Sequence, residues 1–225
     1  MSTVDLEAVK AKQQTVWASG DFAEIATTIV PAAERLVDAA DLHAGWSVLD
    51  VATGSGNAAI AAARLGCRAT GSDYVPALLE RGRERARAER LTIDFVEGDA
   101  ESLPFGDASF DAVTVGFGIR NVDDLEAGLH ELRRVLRPGG RLGVLEITRP
   151  RGPLRVFYSF WFDRIVPLLG RVLPGGAAYT YLPASVRRVP GPDELKALLE
   201  RVGFGEVEVR LFAGGIVALH TGVAT

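Results

Sequence analysis

The sequence predicts one α/β domain in which a seven-stranded, mostly parallel β-sheet carries helices on both faces. Short β-rich apolar runs alternate with helical patterns from about residue 47 onward, an order typical of parallel sheets. The chain has 225 residues, of which 48% are hydrophobic and 24% charged, so it can bury a sizeable single core. Only four residues join the last two apolar runs, which therefore must form an antiparallel hairpin.

The individual elements follow from the period of the apolar residues and from the glycines and prolines between them. Gly66 ends the first predicted helix, Pro76 begins the second, and the Pro-Gly-Gly run at 138–140 ends the third. Asp123, with Glu126 three positions later, predicts the N-cap of the third helix. The predicted strands are 47–51, 68–72, 92–97, 110–116, 141–147, 206–211 and 216–221, and the predicted helices are 57–65, 76–90, 123–137 and 192–202.

The charge balance argues against a nucleic-acid partner. Lys and Arg number 25 and Asp and Glu number 29, so the formal net charge is −4 and no basic field is available to hold a phosphate backbone. The arginines between residues 81 and 90 alternate with Glu84 and Glu89, a pattern that indicates a solvated helix face.

Cysteine usage and the N-terminus predict a reducing, cytoplasmic setting without a metal site. Cys67 is the only cysteine, and the three histidines are not at ligand spacing. The N-terminus carries Asp5 and Glu7 and no apolar core, so it is not a secretory signal. Charges interrupt the most apolar stretch, 154–173, so no transmembrane helix is expected. The sequence does not define an oligomeric state.

Three carboxylates lie at the ends of three successive predicted strands. Asp50 precedes a turn that contains Gly54 and Gly56, where bare backbone lets a ligand approach closely. Asp73 follows the second strand, where a carboxylate can accept hydrogen bonds from both hydroxyls of a ribose. Asp99 follows the third strand and can accept from the amino group of an adenine. The three residues therefore predict a nucleoside-containing cofactor at one edge of the sheet.

Two alternatives remain open at this point. Each aspartate can instead be a helix cap or a turn residue, and Asp50 is expected to act mainly by holding the glycine turn. A nicotinamide cofactor would use the same edge, because Gly54, Gly56 and Ala59 formally satisfy the dinucleotide pattern. The C-terminal hairpin favours S-adenosylmethionine instead, since a doubly wound sheet that ends in a reversed hairpin is the methyltransferase arrangement. The chain also has no Tyr-x-x-x-Lys pair of a short-chain dehydrogenase.

Several runs resemble a known family. The runs at 50–56, 71–73, 98–105 and 136–140 together resemble class I S-adenosylmethionine-dependent methyltransferases. The second half resembles the ubiquinone/menaquinone biosynthesis C-methyltransferase family. The runs that carry this resemblance are Phe-Gly-Ile-Arg-Asn-Val at 117–122, Glu-Ile-Thr-Arg-Pro at 146–150, Tyr-Leu-Pro-Ala-Ser-Val at 181–186 and Gly-Gly-Ile-Val-Ala-Leu-His at 214–220.

The resemblance implies the class I methyltransferase fold, Rossmann-like, and S-adenosyl-L-methionine as cofactor. It also implies a division of the single domain into an N-terminal helical cap (1–45), a cofactor-binding core (46–147), a substrate-lid insertion (148–190) and a last helix with the strand hairpin (191–225). The implied cofactor-binding residues are Asp50, Ala52, Thr53, Gly54, Gly56, Asp73, Tyr74, Asp99, Ala100 and Gly116.

The resemblance further implies catalytic roles for Arg120 and Asn121, which follow the fourth strand; the alternative for Arg120 is pairing with Asp123 or Asp124. The aromatic cluster at 157–162 falls in the insertion, where it is interpreted as a pocket lid, as core packing or as an amphipathic membrane-touching segment. The implied substrate-binding residues are Phe117, Phe157, Trp161, Tyr179 and Tyr181.

The function expected from this resemblance is methyl transfer to an aromatic ring carbon of a demethylmenaquinol-like quinol. The partner is then a small aromatic molecule. The alternatives are a small-molecule O- or C-methyltransferase of secondary metabolism and an NAD-dependent oxidoreductase.

Overall fold

The structure is a computed structural model that describes residues 30–148, 186 and 189–225. Its seven strands form one sheet in the order β3-β2-β1-β4-β5-β7-β6. The strands are β1 (Ser47–Val51), β2 (Arg68–Asp73), β3 (Ile93–Glu97), β4 (Phe110–Gly116), β5 (Leu136–Ile147), β6 (Phe204–Phe212) and β7 (Val217–Ala224). The helices are α1 (Val30–Ala39), α2 (Asn57–Arg64), α3 (Pro76–Ala88), α4 (Leu125–Val135) and α5 (Pro192–Arg201).

The sheet is parallel except for strand β7. Strands β1 to β5 pair in parallel, whereas β7 lies antiparallel between β5 and β6. This confirms the predicted fold class and the C-terminal hairpin. Strands β2 and β3 extend the sheet on one side of β1, and β4 and the later strands extend it on the other side. At this switch point the carboxyl ends of β1, β2 and β4 border a crevice.

The two faces of the sheet pack against different helices because side chains alternate along each strand. On one face, Leu49, Val113 and Leu142 pack with α4 and α5 in the largest apolar cluster. On the opposite face, Val48 and Ala112 pack with α1 and α2 in a second cluster. Each of these five residues is 1% exposed or less, so burial is complete on both sides of the central strands.

Most element boundaries differ from the predicted ones by one to five residues, and two of these differences have a clear structural cause. The cap of α4 is Asp124, which accepts from the backbone N of Ala127 at 3.0 Å, so the prediction of Asp123 is wrong by one residue. The 138–140 run does not end a helix, because α4 already ends at Val135 and β5 begins at the next residue. Pairing of Leu136 with Phe110 makes this early start possible, and a register shift between Phe110 and Ala112 absorbs the extra residues.

Only parts of the predicted N-terminal cap and of the predicted substrate-lid insertion lie among the described residues. Within the expected N-terminal cap, α1 packs Leu36 against the sheet, so closely that a Cβ on Gly143 would lie 2.9 Å from Leu36 Cδ1. Residues 1–29 and most of the expected lid lie outside the described residues. The longest helix in the described part, α3, has 13 residues, and no helix there is long and apolar enough to span a membrane.

The packing of α3 on β3 generates a stability prediction. A Cβ on Gly82 would lie 2.5 Å from Cε1 of Phe95, whose ring is 8% exposed. Alanine favours a helix interior by about 1 kcal/mol over glycine. Overpacking should nevertheless win, and we expect Gly82→Ala to lower the free energy of unfolding by about 1–3 kcal/mol in urea denaturation. Phe95→Leu is the control background, in which the penalty should shrink; an equal penalty there would show that the ring is not its cause.

Candidate active site

The turn after β1 is left-handed at three positions. The φ angles of Ala52, Gly54 and Gly56 are 52°, 56° and 86°, a region that glycine enters without strain. The backbone N of Thr53 donates to the carbonyl oxygen of Ser72 at 3.0 Å, which ties the turn to β2. A Cβ built on Gly54 would meet no atom of the described residues within 4 Å. The turn therefore presents open backbone at the carboxyl edge of the sheet.

The carboxylate of Asp50 joins β1 to three other parts of the fold. Its Oδ2 accepts from Thr53 Oγ1 at 2.6 Å and from the backbone N of Ala59 at 3.2 Å. Its Oδ1 accepts from Thr114 Oγ1 at 2.8 Å. Thr53 belongs to the glycine turn, Ala59 to the first turn of α2 and Thr114 to β4. One buried side chain thus holds the turn, the following helix and the neighbouring strand together.

The position of Asp50 changes its acidity. Burial raises the pKa of Asp50 from 3.8 to about 6, and the hydrogen bonds from Thr53, Thr114 and Ala59 oppose this rise. The nearby carboxylate of Asp73 adds a small further rise. Ionised Asp50 is therefore tolerated in the interior only because these donors face it.

Asp73 lies at the end of β2 beside the turn. Its Oδ2 accepts from the backbone N of Gly54 at 2.8 Å, and its Oδ1 accepts from the backbone N of Val75 at 2.9 Å. Burial raises the pKa of Asp73, and hydrogen bonds from the backbone of Gly54, Val75 and Tyr74 lower it. A carboxylate has about four acceptor sites, so capacity remains on this side chain for ligand hydroxyls.

Asp99 shapes the turn after β3. Its Oδ1 accepts from the backbone N of Glu101 at 3.0 Å, and its carbonyl oxygen accepts from the backbone N of Ser102 at 3.0 Å. Glu101 Oε1 in turn accepts from the backbone N atoms of Asp123 and Asp124, at 2.7 and 2.9 Å. The turn after β3 is thereby fastened to the start of α4.

An apolar cleft lies between these turns and α4. It is lined in part by Ala52, Ala100, Ile119 and Leu125. The turns after β1 and β4 touch here, since a Cβ on Gly118 would lie 2.5 Å from the Cβ of Ala52. Only glycine permits this approach, so Gly118 is a site-forming residue that sequence reasoning passed over.

A second residue that sequence reasoning missed is Arg85 of α3. Its Nη1 donates to the carbonyl oxygen and Oγ of Ser55, at 2.8 and 2.9 Å, and to Oδ1 of Asn57 at 2.8 Å. Burial lowers the pKa of Arg85. The interpretation of residues 81–90 as a solvated face is thus wrong at this position, because one arginine braces the glycine turn. In the sequence, the arginines of this helix alternate with glutamates, and nothing in that pattern distinguishes Arg85 from the other arginines.

Arg120 lies in a 3₁₀ turn, Ile119–Asn121, that directly follows β4. Its Nη1 donates to Oε1 of Glu146 at 2.8 Å and also to the carbonyl oxygen of Phe117. Its backbone N donates to Glu146 Oε2 at 3.2 Å. The ion-pair partner in the described residues is therefore Glu146 on β5, not Asp123 or Asp124. The sequence offered Glu146 only as part of the run at 146–150, with no role.

Some of the remaining residues that were expected to bind ligands or act in catalysis lie among the described residues, and others do not. The backbone N of Asn121 donates to the carbonyl oxygen of Gly118 at 3.0 Å, which closes the 3₁₀ turn. Phe117 has a φ of 58° and its side chain packs against the second apolar cluster. Gly116 ends β4 opposite Leu145. Phe157, Trp161, Tyr179 and Tyr181 lie outside the described residues.

These groups fit the cofactor that the resemblance implies. Asp73 has acceptor capacity for a ribose diol, and Gly54 presents open backbone. Asp50 lies beneath this surface and supports it.

Comparison with known proteins places this geometry in a family. Residues 33–224 match the model of the ubiE/COQ5 methyltransferase family. The chain is 43% identical over 192 residues to the demethylmenaquinone methyltransferase of Thermus thermophilus, covering 84% of this chain and 87% of that protein. It is also 43% identical over 185 residues to the ubiquinone/menaquinone biosynthesis C-methyltransferase UbiE of Bartonella bacilliformis, covering 79% and 71%.

A solved structure supports the fold independently. The crystal structure of a SAM-dependent methyltransferase from Aquifex aeolicus matches with a TM-score of 0.62 at 18% identity, covering 86% of this chain and 89% of that one. Since the family model spans residues 33–224 and the two relatives are each 43% identical, this chain belongs to the ubiE/COQ5 methyltransferase family.

Proposed function

We propose that this protein transfers a methyl group from S-adenosylmethionine to a ring carbon of a demethylmenaquinol-like quinol. The observation that carries the proposal is a buried guanidinium, Arg120, on the turn that touches the glycine loop, in a chain 43% identical to a demethylmenaquinone methyltransferase. Membership of a methyltransferase family also decides against the nicotinamide alternative.

The cofactor side of the site consists of carboxylates and open backbone. When bound, S-adenosylmethionine supplies an electrophilic methyl group on a cationic sulfonium. Asp73 would accept from its ribose hydroxyls, and the backbone at Gly54 would allow its close approach. The negative charges of Asp50 and Asp73 favour a cationic ligand at this edge.

The acceptor side needs a group that stabilises negative charge. A ring carbon becomes nucleophilic when the adjacent hydroxyl ionises, and an unperturbed phenol has a pKa near ~10. A guanidinium beside the hydroxyl lowers that barrier by stabilising the oxyanion. The assignment of this role to Arg120 is supported by its Nε, which is buried without a hydrogen-bond partner among the described residues. Asn121, next in the same turn, would orient the second ring oxygen.

We also propose that the protein acts in the cytoplasm and contacts the membrane surface peripherally. The support is compositional: Cys67 is the only cysteine, and five aromatic side chains fall between residues 157 and 162. Sedimentation with anionic lipid vesicles tests the contact, and recovery of all the protein in the supernatant would argue against it.

The proposed reaction is tested by product identification. Purified protein, S-adenosylmethionine and a panel of naphthoquinols and benzoquinols are incubated, and products are analysed by mass spectrometry with fragmentation. We expect a mass gain of one methyl group on the ring carbon of a demethylmenaquinol. Methyl groups found on oxygen, or turnover only with unrelated phenols, would favour a small-molecule methyltransferase of secondary metabolism instead.

The cofactor role of Asp73 predicts a loss of affinity. Asp73→Ala should weaken binding of S-adenosylhomocysteine about tenfold to a hundredfold, because a charge-assisted hydrogen bond contributes about 1.5–3 kcal/mol. Isothermal calorimetry measures the change. Asp94→Ala, at an exposed aspartate on β3, is the matched control and should bind normally. Unchanged affinity in Asp73→Ala would falsify the assignment.

The acceptor role of Arg120 predicts a loss of turnover. Arg120→Ala should lower kcat about a hundredfold, as removal of an oxyanion-stabilising donor does, while affinity for S-adenosylhomocysteine changes little. The matched control is Arg210→Ala, since the Arg210 side chain is 60% exposed on β6. Steady-state kinetics beside calorimetry distinguish the outcomes, and lost affinity with retained kcat would assign Arg120 to cofactor binding.

The raised pKa of Asp50 predicts a pH-dependent stability. Between its unfolded value of 3.8 and its folded value of about 6, the folded protein binds more protons, so the contribution of Asp50 to stability is lost as pH rises through this window. Two pH units correspond to about 3 kcal/mol. We expect the stability of wild type relative to Asp50→Asn to fall between about pH 4 and pH 6 in urea denaturation. A difference that does not vary with pH would show that Asp50 ionises normally.

A further inference from the structure

Glu146 lies at the end of β5 with 1% of its surface exposed. Among the ion pairs of the described residues, only Arg120 and Glu146 have both side chains nearly inaccessible, at 8% and 2% exposed. The other pairs are partly or largely solvated. A pair buried at the sheet edge where ligands bind therefore needs its own explanation.

The two residues are joined at two points. Glu146 Oε1 accepts from Nη1 of the Arg120 side chain, and Oε2 accepts from the backbone N of the same residue. Oε1 also accepts from the backbone N of Ile147 at 2.8 Å. The carboxylate is itself anchored to β5 by this last bond, so it fixes both the 3₁₀ turn and the orientation of the guanidinium.

The guanidinium of Arg120 is fixed in place, but its hydrogen-bonding capacity is not fully used. Its Nη1 is shared by Glu146 and the carbonyl oxygen of Phe117, whereas its buried Nε has no partner in the described part of the chain. A buried donor without a partner is costly, and such groups are uncommon except where a ligand completes them. The N–H of Nε is therefore a fixed, buried donor whose hydrogen bond a ligand oxygen would complete.

Stability alone does not account for this pair. Taking two charges out of water costs as much as their attraction returns, and apolar replacements of buried ion pairs are often neutral or stabilising. The charge balance offers a reason for its presence. An unpaired Arg120 would add a positive charge beside a site for a cationic cofactor, and Glu146 cancels it.

We propose that Glu146 is a positioning residue for Arg120: it orients the guanidinium toward the oxygen of the methyl acceptor and neutralises its charge toward the cofactor. The inference rests on the proposed function, because it assumes that Arg120 faces the acceptor. Glu146 itself touches neither ligand and acts only through Arg120.

The test is a double-mutant cycle on kcat. Gln at position 146 keeps an oxygen for Arg120 Nη1 but places an N–H₂ group against the backbone N of Arg120, so the two-point attachment is lost. We expect Glu146→Gln to lower kcat by up to about a hundredfold, the loss that a misplaced catalytic group can produce. Combined with Arg120→Ala, it should cause no further loss, because a residue that acts only through Arg120 has nothing left to position.

Three further measurements separate positioning from a structural role. Calorimetry with S-adenosylhomocysteine should show an affinity within about twofold of wild type at ionic strengths that screen the exposed charges. Glu146→Asp keeps a negative charge beside Arg120, and it replaces the Gln variant if that variant does not fold. It should also lower kcat, because the shorter side chain cannot reach both the side chain and the backbone N of Arg120. Glu208→Gln, at a side chain that is 65% exposed on β6, is the matched control and should have wild-type kcat.

The outcomes distinguish this inference from the proposed function. Wild-type kcat in the folded Gln or Asp variant, or losses that multiply with that of Arg120→Ala, would overturn the positioning role. A fall in affinity for S-adenosylhomocysteine that matches the fall in kcat would also overturn it, because that ligand carries no sulfonium charge for Arg120 to repel. Absence of quinol methylation by the wild-type protein counts against the proposed function, whereas wild-type turnover with an unaffected Glu146 variant counts only against this inference.

Discussion

The fold depends most on one buried carboxylate. Asp50 receives hydrogen bonds from the glycine turn and from the first turn of α2, which follow it closely in sequence, and from β4, where Thr114 is 64 positions away. An interior carboxylate must be satisfied by donors or be protonated, and burial accordingly raises the pKa of Asp50 to about 6. The turn that presents open backbone to a ligand therefore has the shape that Asp50 requires.

The carboxyl edge of the sheet divides into two halves of different chemistry. Toward β2, Asp73 and the open turn at Gly54 provide acceptors and exposed backbone suited to a nucleoside. Toward β5, Arg120 and Glu146 form a buried pair in which Nε of Arg120 has no partner among the described residues. The halves meet where Gly118 touches Ala52, so a shift of either turn would be transmitted to the other. A reaction between a bound cofactor and a second ligand needs this kind of rigid junction.

Local patterns predicted element types well and some boundaries poorly. The apolar periods and the glycine and proline signals located four of the five described helices and all seven described strands, because each signal depends on a few adjacent residues. The start of β5 was missed because its first residue is recruited by pairing with Phe110, a contact with no local signature. The cap of α4 is Asp124 and not the predicted Asp123, and both backbone N–H groups are held by Glu101 from another turn, a contact with no local signature.

The sequence by itself determined the α/β class, the antiparallel hairpin, the three strand-end aspartates and the family resemblance, because periodicity, short linkers and contiguous motifs are local properties. Only the tertiary structure decided which partner each charged side chain finds. Arg120 pairs with Glu146, 26 positions away, although Asp123 and Asp124 are nearer in sequence. Arg85 reaches Ser55, 30 positions away, although the pattern at residues 81–90 predicted a solvated helix face. The reason is physical: a buried charge must be compensated by whatever group the packed strands bring beside it, and strand order, not sequence proximity, selects that group.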